Sequence, residues 1–83
     1  MSEALTLKLR KKVNLEGMEL SELQLCEPNA GQLEKASFAS TGVAANIILI
    51  SEVAKVPMAA VRLLSKRDLE AAVRYLSGFQ DAP

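Results

Sequence analysis

The hydrophobic rhythm of this chain changes at Pro28, and that change limits the possible folds more than any other feature of the sequence. Before it, Leu5, Leu7 and Leu9 alternate with Thr6, Lys8 and Arg10, the two-residue period of a strand with one buried face. A polar reach containing Lys11, Lys12, Asn14 and Gly17 follows, and "MELSELQLCE" then alternates again. Two such runs around a glycine-bearing connection read as a β-hairpin over about 4–27. The second run carries an irregularity: Met18 and Leu20 are even-numbered, Leu23 and Leu25 odd-numbered. A regular strand cannot turn all four to one face, so a bulge near Ser21 is expected.

After Pro28 the period becomes helical. Asn29 with Gln32 three residues later makes a capping-box pattern and starts a short helix around Ala30 to Phe38. The "ASTG" break supplies the next cap at Ser40 or Thr41, and a helix from about Val43 to Lys55 follows. Pro57 stops it and suits the first turn of a short helix, Met58 to Leu64. Ser65 with Asp68 repeats the capping pattern ahead of the best-written helix, "LLSKRDLEAAVRYLSGFQ". On a wheel, Leu69, Ala72, Val73, Leu76 and Phe79 share one face, and Lys66, Glu70, Arg74 and Ser77 the other. Glu70 and Arg74 are spaced for an i,i+4 pair, and Gly78 offers a left-handed stop. The expected fold is α+β: an N-terminal β-hairpin followed by three to four α-helices. One domain over residues 1–83 is expected, with its helical part over about 29–80.

A chain of 83 residues buries only about 60–65% of its unfolded surface, which is marginal for a core standing alone. The single Cys26 rules out an internal disulfide, and the absence of His leaves no zinc set. Association with further copies is the expected support, so a homo-oligomer is expected. Ten basic and ten acidic residues cancel, so no global field draws the chain to nucleic acid or an anionic membrane. The start "MSEALTLKLRKK" does not read as a signal peptide. The apolar run Ile47 to Ile50 is far shorter than the ~20 residues of a membrane span.

No catalytic constellation emerges. Cys26 stands beside Glu27, whose charge disfavours a thiolate, and is read as structural. Glu16, Glu19, Glu22 and Glu27 read as a solvated edge, since their spacing gathers no metal. No glycine-rich phosphate loop occurs. The expectation is therefore no catalytic, cofactor or metal residues, no cofactor and no small-molecule substrate. Lys8, Arg10, Lys11 and Lys12 form a basic strand without interleaved aromatics to stack on bases. An alternative function is a small helix-turn-helix-like DNA-binding regulator built on "SEVAKVPMAAVRLLS". Its second helix offers Met58, Ala59, Ala60 and Val61 with only Arg62 as a cation, too apolar to read a groove.

What remains is a contact surface. Val43, Ile47, Ile50 and Ala54 form the expected core stripe of the central helix, and Ile48 falls on its polar side with Leu49 beside it. Ile48 and Leu49 are the first candidates for a partner or self-association contact.

The run "LTLKLRKKVNLEGMELSELQLCEPNAGQLEKAS", followed by an apolar helix, "KVP" and "LLSKRDLEAAVRYLSGF", resembles the bacteriophage tail assembly chaperones of Mu-like and related contractile-tailed phages. The resemblance covers nearly the whole chain in the same order, and the residues that carry it are structural. It implies a small, non-catalytic helper in the host cytoplasm that binds the tape-measure protein during tail assembly and is absent from the mature virion. With the charges cancelled, no nucleic-acid and no membrane partner is expected. In related systems a translational frameshift makes a longer product, which an amino-acid sequence does not display. The basic "KLRKK" departs from the family's pattern.

Overall fold

The computed structural model describes residues 5–80, with side chains through Ser77. An antiparallel hairpin, β1 (Leu5–Leu15) and β2 (Met18–Leu25), is followed by four helices among the described residues. These are α1 (Ala30–Ser37), α2 (Gly42–Ala54), α3 (Met58–Val61) and α4 (Lys66–Gln80). The α+β expectation holds.

The first strand is longer than the sequence reading. Lys11, Lys12 and Asn14 are part of it rather than a loop, because Val13 and Leu15 continue the inward alternation of Leu7 and Leu9 beyond the basic run. The connection shrinks to two residues, Glu16 and Gly17. Both have positive φ, at 49° and 86°, as a tight turn matching strand twist requires. Glycine takes that geometry without the crowding a Cβ brings.

The expected irregularity lies opposite Ser21, but most of the extra chain is on β1. Lys8 pairs with Glu22 and Val13 with Leu20, so Leu9, Arg10, Lys11 and Lys12 face Ser21 alone. This wide bulge reconciles the two phases of β2: Leu20 and Met18 pair with Val13 and Leu15, while Leu23 and Leu25 pair with Leu7 and Leu5. It also withdraws the backbone of Arg10 and Lys11 from the regular ladder.

The core gathers Leu23 and Leu25 from β2, Ala36 from α1, Leu49, Ile50 and Val53 from α2, Val61 from α3, and Ala72 and Leu76 from α4. The central helix sits at its middle, packed against α1, α3, β2 and α4. Thr41 caps it, accepting from the Ala44 amide at 3.0 Å. It ends at Lys55, which takes the left-handed conformation usual for glycine, while the Ser51 hydroxyl donates to the Val56 carbonyl at 2.6 Å. Pro57 is the cap before α3 rather than a member of it, and α3 is a single turn ending at Val61, short of the expected Leu64. The last helix continues through Gly78 to Gln80, so Gly78 is not a stop. Its apolar face is as read, with Ala72 and Leu76 buried and Leu69 and Val73 packed on the core; the side chain of Phe79 lies outside the described residues.

Candidate interaction surfaces

Each sequence-selected residue has a definite place. Leu49 is buried at 7% exposure, and Ile48 is half-buried and packed on the same core cluster, so neither lies on a polar face. Val43, assigned to the core stripe, is 59% exposed instead. The wheel failed here because "GVAANIILISEVA" is apolar on nearly every side and meets neighbours on several. Exposed apolar area appears at the corner between α1 and α2. There Phe38 ends α1 at 81% exposure, five residues before Val43. A phenyl ring that open on a chain with three aromatic residues is the most conspicuous apolar side chain on the surface described. Its position directly before "ASTG" was available in the sequence, but the half-turn that expels it was not.

A second surface is polar and lies at the seam of β1 and α4. Asp68 is 2% exposed, the one buried charged side chain among the described residues. Its Oδ1 and Oδ2 each accept from the Arg10 amide at 3.0 Å, and Oδ2 accepts from the Lys11 amide at 3.2 Å. The amides set loose by the bulge thus find their acceptor 57 and 58 residues along the chain. The Asp68 amide also donates to Ser65 Oγ at 3.2 Å, closing one half of the expected capping box. Burial pushes the Asp68 carboxyl up, but the Arg10 and Lys11 amides, a side-chain hydrogen bond with Ser65 and the Arg10 charge together hold it below the usual carboxylate value. The acid therefore stays ionised at neutral pH, a fixed anion in the first turn of α4.

The other candidates are dispersed. Cys26 is a free, half-buried thiol packed on the core. Glu16, Glu19, Glu22 and Glu27 are all exposed, and among the described residues no three His, Cys, Asp or Glu side chains gather as a metal site. Lys8, Arg10, Lys11 and Lys12 are exposed along β1. Glu70 and Arg74 do not close an ion pair; the one formed among the described residues joins Lys35 Nζ to Glu52 Oε1 at 3.4 Å, between α1 and α2. The helix-turn-helix alternative loses its reading element, since α3 is one turn with Ala60 and Val61 buried. No helix among the described residues is long and apolar enough to cross a membrane.

Fold and surface together define a small α+β protein that presents side chains outward around a hairpin-and-helix core. The family described as phage tail assembly chaperone proteins, E, or 41 or 14, matches residues 6–81, and the chain belongs to that family. No curated protein and no solved structure matches it.

Proposed function

We propose that this protein binds the tape-measure protein of a Mu-like or related contractile-tailed phage in the host cytoplasm, shielding it until the tail tube assembles, and leaves before the virion is complete. The observation supporting this reading is the exposure of Phe38 and Val43, the two most exposed of the large apolar side chains among the described residues, at the end of α1 and the start of α2. A long protein with apolar helical segments needs cover before its tube exists, and apolar side chains on a small helper provide it without chemistry. Several copies along one partner gain by multivalency, and self-association is part of the proposal. No nucleic acid, membrane, cofactor or small-molecule substrate enters it. Ile48 and Leu49, the first candidates by sequence, take a supporting role by seating α2 in the core.

Co-expression with the tape-measure protein tests the reading. The unaltered chain should raise the soluble fraction of that protein and co-purify with it. The double variant Phe38→Ser, Val43→Ser should lose capture while its own melting midpoint hardly moves, because exposed positions contribute within about 0.5 kcal/mol. Capture equal to that of the unaltered chain would remove this corner from the mechanism, and no capture by either would remove the tape-measure protein as partner.

A further inference from the structure

Arg10 of β1 and Arg67, Glu70, Ala71 and Arg74 of α4 line a cleft of about 290 Å³ along the seam that Asp68 holds. We propose that this cleft docks an acidic segment of a partner polypeptide, a contact separate from the apolar corner and independent of the tape-measure reading.

Three observations carry it. Positions 67, 70, 71 and 74 follow the i, i+3, i+4, i+7 spacing, so α4 turns a single face to the cleft. The opposite wall is fixed, because the Arg10 backbone is bonded to Asp68, one residue from Arg67. Such a frame fixes the backbone positions from which the three guanidinium groups extend, so binding orders side chains but not the elements that carry them. Finally, none of the three arginines forms an ion pair among the described residues, although three like charges border one space. An incoming carboxylate relieves that repulsion, and a guanidinium fork matches its two oxygens.

The lining also chooses among anions. Glu70 opposes a continuous run of phosphates but can accept from the backbone amides or a cationic side chain of a peptide. Nucleic acid is further disfavoured by zero net charge and by a lining without aromatic rings. The volume stands just under the about 300–1,000 Å³ of small-molecule sites, and the small Ala71 leaves room for the stem of an acidic side chain.

Titration calorimetry at low salt with a hexaglutamate peptide provides the test. The unaltered chain should bind it. Arg67→Glu and Arg74→Glu should each weaken binding about tenfold or more, the scale of one charge-assisted contact. Lys66→Glu makes the same charge change on an exposed residue outside the lining and should weaken it less than about threefold. A negative charge at position 67 suits a first helical turn, and Arg74 is exposed two turns on, so thermal melts should show at least one of the two cleft variants folded. No binding by the unaltered chain overturns the proposal. So does an equal loss in Lys66→Glu, which would assign the effect to net charge. Equal affinity for inorganic phosphate or a DNA duplex overturns the peptide class.

Discussion

The starts of α1 and α4 are written alike and are held differently. At α1 the box closes on itself: the Gln32 amide donates to Asn29 Oδ1 at 2.9 Å, and the Asn29 amide donates to Gln32 Oε1 at 3.0 Å. At α4 the first half forms between Asp68 and Ser65, but the acid gives its oxygens to β1. Two physical differences account for this. Aspartate is one methylene shorter than glutamine and reaches back to the cap amide less easily, and the bulge beside it offers two amides without ladder partners. A local motif was thereby converted into a joint between the two ends of the chain. The α1 box, by contrast, stays exposed and adds only a 3.3 Å bond from Gln32 Nε2 to the Glu52 carbonyl.

The contrast can be broken at its strong end first. Asp68→Ala leaves the partly buried Arg10 and Lys11 amides without their acceptor and should lower stability by about 2–4 kcal/mol. Urea unfolding checks this, and a loss below about 1 kcal/mol would mean that water replaces the carboxylate freely.

Acid sharpens the comparison further. Because the folded carboxyl lies below its unfolded value, the unfolded chain binds the extra proton between the two, so stability rises with pH there. The contribution is fully present above about pH 4, the ordinary aspartate value, and is lost as pH falls through the lower folded value. The stability difference between the unaltered chain and Asp68→Ala should therefore shrink below pH ~4 and be constant from pH ~5 to 7. A difference independent of pH would show that the carboxylate charge plays no part.

At the weak end, Asn29→Ala removes only a local cap and should lower stability by about 1 kcal/mol with no acid dependence of its own. A loss matching that of Asp68→Ala would erase the distinction between local and long-range capping.

Those two helix starts also mark how far the sequence could be read. Residues whose partners lie within four positions were legible, as with Asn29 and Gln32, and so was the apolar stripe of Leu69, Ala72, Val73 and Leu76 on an otherwise charged helix. The hairpin was legible as a change of period at Pro28, although the basic residues hid the inward Val13 and Leu15 and shortened the first strand. The phase of α2 was not, because an element apolar on most sides carries no contrast to set it, and Leu49 and Val43 exchanged roles as a result. Nor was the arginine cleft, which exists only once β1 and α4 are joined.

The bulge has one more consequence. In a two-stranded sheet neither strand is interior, and a long unbroken edge invites strands from other chains to add to it. Here β1 is interrupted at Arg10 and Lys11, whose amides are already committed to a helix. An invading strand therefore meets two short stretches instead of one continuous template. That is a built-in guard, on this edge of the sheet, against pairing with strands of other chains.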